Sequence, residues 1–207
     1  AIAGGGGQAR FIETDLADPS VPARIVDAAA QQWGRIDIVV NSAAIVCNKP
    51  VESITHDDWD RLFAINLKAP FFIAQAALPR LTERGGTVIQ ISSTNSLYNA
   101  GNNLVYDTMK AALNHMTRGL ALDLRSGGVR FNAVLPGGTA TPLLDAWFLQ
   151  LTGGEAGARQ MAEEAKQAAH VADPKRIADV VLLLASGQAS WINGALIPAD
   201  GGFHLGR

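Results

Sequence analysis

The chain has 207 residues, 48% hydrophobic and 17% charged, with a formal net charge of -2. That length supports one substantial core and a single domain over residues 1–207, and the charge excludes the basic footprint of a nucleic-acid binder. The lone Cys47 excludes an intramolecular disulfide framework, and apolar runs such as Val180 to Ala185 fall far short of the roughly 18 residues of a membrane span, so a soluble, cytoplasmic protein with no membrane partner is expected.

Four glycines, Gly4 to Gly7, precede ARFIET (9–14), which reads as the first strand. The turn signal Asp18-Pro19-Ser20 then opens a helix over 20–33. IDIVV (36–40) reads as a strand, 56–82 as a helix, GTVIQIS (86–92) as a strand and 105–126 as a helix. VRFNAVL (129–135) and ALIPA (195–199) read as the last strands, and between them 141–174 is apolar in its first half and an amphipathic, charged helix in its second. Strands alternating with long helical patterns indicate βαβ units, hence an α/β fold with a parallel sheet covered by helices on both faces. IDIVV and TVIQI are almost continuously apolar, as strands covered on both faces are, and are expected to be central.

In such folds ligands bind beyond the carboxyl ends of the strands. The residues found there are Asp15-Leu16, Asn41-Ser42-Ala43-Ala44, Ser92-Ser93 and Pro136-Gly137. The sharpest local feature is VYDTMKAALNHM, which places Tyr106 and Lys110 four apart, on one face of a helix. An ammonium beside a phenol favours the phenolate and is expected to draw its pKa from about 10 toward the neutral range useful to a general acid/base. Ser93 ends a buried strand 13 residues earlier, across a loop rich in glycine and asparagine.

These residues resemble the short-chain dehydrogenase/reductase family. Its catalytic tetrad of Ser, Tyr-x-x-x-Lys and an Asn in the preceding helix is matched by Ser93, Tyr106, Lys110 and, in AINLKAPFF, Asn66. Asp15-Leu16 resembles the family's adenine-side pair, VLPGGTATP (134–142) its nicotinamide loop, and PADGG (198–202) its C-terminal Asp-Gly-Gly. Two departures stand out: Asn41-Ser42-Ala43-Ala44 replaces Asn-Asn-Ala-Gly, and Asp107, Thr108 and Met109 replace small residues between Tyr and Lys.

The resemblance implies a Rossmann-like, doubly wound, three-layer fold and hydride transfer between NAD or NADP and a carbinol or carbonyl carbon. It makes Tyr106 the general acid/base, Lys110 the residue that lowers its pKa and holds the nicotinamide ribose, Ser93 a hydrogen-bond partner of the substrate oxygen, and Asn66 the holder of a relay water. Cofactor contacts are implied at Asp15, Leu16, Asn41, Ala43, Ala44, Tyr106, Lys110, Pro136, Gly137, Thr139 and Thr141, with no metal. Substrate contacts are Ser93, Tyr106 and Trp147, the last in an aromatic lid. The implied substrate is a small alcohol or carbonyl compound, with a weak likeness to fucose-type sugar dehydrogenases; 3-oxoacyl-thioester and small-ketone reduction are the alternatives. Homodimers or homotetramers are implied as well.

A dinucleotide-binding glycine loop follows a strand and opens a helix. Gly4 to Gly7 instead precede RFIET, so the family's first βαβ unit is expected upstream of this chain, together with the residue that selects NAD or NADP. The alternative of another class is a non-catalytic oligomeric scaffold or an inactive family fragment.

Overall fold

The computed structural model describes residues 3–167 and 170–206. Among them run six strands: β1 (Ile38–Asn41), β2 (Thr87–Ile91), β3 (Arg130–Pro136), β4 (Gly138–Thr139), β5 (Val171–Ala172) and β6 (Leu196–Ala199). The α-helices are α1 (Val21–Trp33), α2 (His56–Phe63), α3 (Ala69–Thr82), α4 (Leu104–Asp123), α5 (Pro142–Thr152), α6 (Glu155–Gln167) and α7 (Pro174–Ala185). Strands β1, β2, β3 and β6 form an all-parallel sheet in that order, with Ile38 opposite Thr87 and Thr87 opposite Arg130.

Helices cover both faces, and the strand pleat shows why. Val88 packs with Val26 of α1, Ile73 and Leu81 of α3, and Phe131, whereas its neighbour Ile89 packs with Val134 and with Ile177 and Leu184 of α7. Successive side chains of one strand thus fill two separate cores, which is why TVIQI is apolar throughout. The outcome is the Rossmann-like three-layer arrangement expected from the alternation of elements.

Three expectations need correction. Residues 9–14 form no strand: no described residue pairs with them, although exposure still alternates from Phe11 to Leu16, and Phe11 is 88% exposed. A period of two marks a half-buried segment, but a strand also requires a neighbour to complete its ladder. Second, β1 lies at a sheet edge among the described residues, with Ile38 and Val40 half exposed. Apolar continuity reports covered faces and carries no information about paired edges.

Third, the 56–82 helix is not one regular helix. The Thr55 hydroxyl accepts the Asp58 N–H while Asp58 accepts the Thr55 N–H, a capping box that starts α2. The chain then makes a π-helical turn, Ala64–Lys68, in which the Ala69 N–H reaches back to the Ala64 carbonyl, before continuing as α3. By length and composition His56–Thr82 could cross a membrane, contrary to the reading that every apolar run is too short. In this fold Ala69, Ile73, Ala74, Ala77 and Leu81 are buried, with α3 packed on α1 and the sheet.

The charged half of 141–174 is helical as α6, and residues 168–169 within it lie outside the described residues. The two-residue pair β4–β5, joining Gly138 to Val171, was not legible in the sequence.

Candidate active site

The carboxyl ends of β1, β2 and β3 open into a cleft of about 940 Å³, walled on the sheet side by Ser42 to Ala44, Ser92 to Asn95 and Pro136 to Thr139. Gly4 to Gly7 are exposed, and Gly4 and Gly5 lie in a 3₁₀ turn, Ala3–Gly5, instead of between a strand and a helix as a pyrophosphate-binding loop does.

Ser93 leaves β2 with its backbone extended and caps a short 3₁₀ turn, Thr94–Ser96, by accepting the Asn95 N–H at 3.2 Å. Gly101 (φ +75°) and Asn102 (φ +49°) both adopt left-handed backbone, which reverses the chain into α4. The first turn of α4 carries Tyr106, 4% exposed, and one turn later lies Lys110, 2% exposed. The Ser93 hydroxyl and the Tyr106 phenol both face the cleft, and Ser93 acts to lower the Tyr106 pKa. Lys110 Nζ lies 5.6 Å from the centre of the Tyr106 ring and donates to the Ile91 carbonyl at 2.8 Å, while the Ser92 hydroxyl donates to the Lys110 carbonyl at 3.2 Å.

The electrostatics reverse one sequence expectation. Burial pushes the Tyr106 phenol up to about 12, opposed by the Ser93 hydroxyl and reinforced by the Asp107 charge. Burial also brings the Lys110 ammonium down to about 8. Spacing on a helix places charges side by side, but removing both groups from water disfavours their ionised forms and here outweighs the attraction. Burial thus favours the neutral phenol, the form that donates a proton.

Asn66 lies in the π turn at 1% exposure, and its amide is bound at both ends to one residue: it accepts the Ile45 N–H at 2.9 Å and donates to the Ile45 carbonyl at 2.8 Å. This pair fixes the segment after β1 that carries Ala43 and Ala44 to the cleft. A π turn is costly and recurs at functional sites. Further along the same segment, the Asn48 N–H donates to Gln150 Oε1 and its amide to the Trp147 carbonyl, tying the segment to α5. Trp147 meets Tyr106 edge to face, ring centres 5.9 Å apart.

Among the sequence-derived candidates, Ala43, Ala44, Ser93, Tyr106, Lys110, Pro136, Gly137, Thr139, Thr141 and Trp147 all line the cleft. Asp15, Leu16, Asn41 and Asn66 do not. Asp15 accepts the Ala17 N–H and pairs with Arg61 at 3.5 Å, both partners at the surface, and Leu16 packs against the α1–α3 core. Asn41 donates to the Pro70 carbonyl, joining β1 to α3. Tyr98, His170 and Phe203 line the cleft without having been singled out; the rings of His170 and Phe203 are 4.6 Å apart. Nothing local marks them, since they come from a loop, the approach to β5 and the C-terminal turn.

The glycine pairs of VLPGG and PADGG explain each other. A Cβ on Gly137 would stand 2.7 Å from the Asp200 Cβ and 3.3 Å from its Cα. Asp200, its side chain 2% exposed, is in turn fixed by accepting the Gly202 and His204 N–H groups and pairing with the His204 ring at 2.8 Å. Gly137→Ala is expected to lower stability by about 1–3 kcal/mol through this overpacking; urea denaturation checks it, and an unchanged midpoint would show that the two loops separate freely.

Comparison with known proteins identifies the family. A family model described as enoyl-(acyl carrier protein) reductase matches residues 1–204. A short-chain dehydrogenase/reductase of Pestalotiopsis microspora is 34% identical over 205 residues, covering 95% of this chain and 76% of that protein. The crystal structure of levodione reductase superposes with a TM-score of 0.90 at 30% identity, covering 97% of this chain and 79% of the other. A blue fluorescent protein from a metagenomic library, solved in complex with NADPH, superposes with a TM-score of 0.82 at 32% identity, covering 97% and 78%. The chain belongs to the short-chain dehydrogenase/reductase family, and it is an NAD(P)-dependent oxidoreductase.

The residues present fit the nicotinamide half of that cofactor. The cleft is large enough, and the Lys110 ammonium has three N–H donors, of which the Ile91 carbonyl takes one.

Proposed function

We propose that Ser93, Tyr106 and Lys110 are the catalytic centre for hydride transfer between nicotinamide and a secondary alcohol or carbonyl carbon. The observation that carries this reading is the convergence of the Ser93 hydroxyl, the Tyr106 phenol and the Lys110 ammonium on one cleft at the carboxyl ends of the sheet. The bound cofactor supplies or accepts the hydride. Tyr106, neutral and buried, donates its proton to the carbonyl oxygen in reduction and takes it back in oxidation. Ser93 orients that oxygen, and Lys110 holds the ribose hydroxyls while stabilising the negative charge that develops on the phenol as its proton leaves. Ala43, Ala44, Pro136, Gly137, Thr139 and Thr141 form the nicotinamide wall. Asp15, Leu16 and Asn41 belong to the adenine side, and Asn66 acts by anchoring Ile45.

For the substrate, the likeness to sugar dehydrogenases favours a sugar or polyol. The cleft favours a second reading, because Leu143, Leu144, Trp147, Phe148 and Phe203 give its outer wall an apolar and aromatic character that suits a less hydroxylated ketone. Turnover of a panel of aldoses, polyols and cyclic ketones with NAD(H) and NADP(H) separates the two. In either case Trp147→Ala is expected to raise KM for substrate by about tenfold, near 1.4 kcal/mol, with cofactor affinity unchanged. Equal effects on both would reduce Trp147 to packing.

The protein is further read as a homodimer or homotetramer. Trp191 is 98% exposed and Leu182 67%, and Leu104, Leu122, Phe63 and Phe72 form exposed apolar positions on α4 and on the helix from α2 to α3. Surfaces of this kind are covered in assemblies, and light scattering of the eluting protein measures the state. The buried Cys47, its thiol pushed up chiefly by burial, fits a reducing cytoplasmic setting.

A further inference from the structure

Asp107 directly follows Tyr106 on α4, about 100° around the helix, and departs from the small residues that the family resemblance leads one to expect there. Its side chain is almost fully buried, and both oxygens are engaged. Oδ1 accepts from the amides of Asn95 at 2.9 Å and Asn103 at 3.1 Å, and Oδ2 accepts the Ala100 N–H at 3.0 Å. Every one of these donors lies in the segment that leaves Ser93 and returns to α4. The same Asn95 gives its backbone N–H to Ser93 Oγ, so two consecutive hydrogen bonds connect the Asp107 carboxylate to the hydroxyl that meets the Tyr106 phenol. A second tie runs in parallel, from the Asn114 amide to Ser96 Oγ at 2.6 Å and from Ser96 Oγ to the Ser93 carbonyl at 2.5 Å.

The partners define the chemistry at this position. All three are N–H donors, so only a group that accepts at both oxygens satisfies them, and an amide of the same shape sets an NH₂ against a donor. Burial raises the carboxyl and the three N–H groups hold the rise back. We propose that Asp107 is a positioning residue: its carboxylate holds Asn95, and through it Ser93, in register with Tyr106, and holds Ala100 and the neighbouring Tyr98 as the wall of the cleft. The inference rests on the reading of Ser93 and Tyr106 as the catalytic pair.

The test compares three variants of the full-length protein, Asp107→Asn, Asn95→Ala and the exchange Asn95→Asp/Asp107→Asn, on the best substrate of the panel. Asp107→Asn is expected to lower kcat by about 10- to 100-fold, the cost of a displacement of about an ångström, with KM changed far less and reduced-nicotinamide affinity unchanged. Amide hydrogen exchange in residues 94–103 is expected to speed up. The exchange variant restores one acceptor facing one donor and is expected to recover part of kcat and of the protection. Asn95→Ala leaves α4 intact and is expected to reproduce the kcat loss even if Asp107→Asn does not fold.

The proposal is overturned if kcat of Asn95→Ala stays at the wild-type value, or if the exchange variant recovers nothing while folded. It is overturned equally if kcat and cofactor affinity fall together. Tyr106→Phe measured alongside separates the layers: an active Tyr106→Phe removes the catalytic reading itself, whereas an inactive Tyr106→Phe with a normal Asn95→Ala removes only the role of Asp107.

Discussion

Tyr106→Phe is expected to lower kcat by about 10⁴-fold, the upper end of what a positioned general acid/base contributes, and to leave cofactor affinity unchanged. The substitution deletes one oxygen from a buried site whose ring remains packed against Trp147 and under the Lys110 ammonium. What is lost is the proton that Tyr106 gives to the carbonyl oxygen. Steady-state rates read beside a binding titration make the separation visible. A variant that still turns over would mean that another group moves the proton.

The second large effect is expected at Lys110. Lys110→Met nearly conserves volume, removes the donor to the Ile91 carbonyl and removes the positive charge near the phenol. Cofactor affinity is expected to fall by about tenfold, or 1.4 kcal/mol. The sign of the pH effect follows from which species reacts. Oxidation needs the phenolate, an adjacent ammonium stabilises it, and its removal raises the phenol further, so the rise of the oxidation rate with pH moves to more alkaline values and the rate near neutrality drops tenfold for each unit.

Stability is expected to change little in the same variant. At neutral pH the folded protein carries the cost of burying the Lys110 charge, of order 3 kcal/mol for a pKa lowered from 10.5 to about 8. Relief of that cost opposes the roughly 1–3 kcal/mol lost when the Ile91 carbonyl loses its donor. A thermal melt close to wild type, with weak binding and slow turnover, identifies Lys110 as a residue kept for function.

The alternation of strands and helices, the parallel sheet and the positions after β1, β2 and β3 were legible, because they depend on periodicity and on where small polar residues gather, whereas the edge place of β1 and the unpaired 9–14 segment were not. Tyr106, Lys110 and Ser93 were legible as a group because two short intervals, four residues and thirteen, bring them together across one loop and one helix turn. Interactions between distant segments left no such mark. The bond from Asn48 to Gln150 joins residues 102 apart, and Tyr98, His170 and Phe203 meet at the cleft from three separate segments. The π turn at Asn66 was also invisible: its sequence, AINLK, propagates a helix well, and the disruption is associated with the tertiary bond pair to Ile45. Spacing reports proximity and not dehydration, so the direction of the Tyr106 shift is absent from the sequence, and the role of Asp107 depends on three donors that only the fold brings to it.

The central claim is that this cleft holds the nicotinamide against Tyr106 and Lys110. A fluorescence titration of NADH and of NADPH with the full-length wild-type protein, Tyr106→Phe and Lys110→Met tests it most directly. Wild type and Tyr106→Phe are expected to bind one of the two cofactors with the same affinity, and Lys110→Met to bind it about tenfold more weakly. Failure of the wild-type protein to bind either cofactor, or Lys110→Met binding as tightly as wild type, would contradict it.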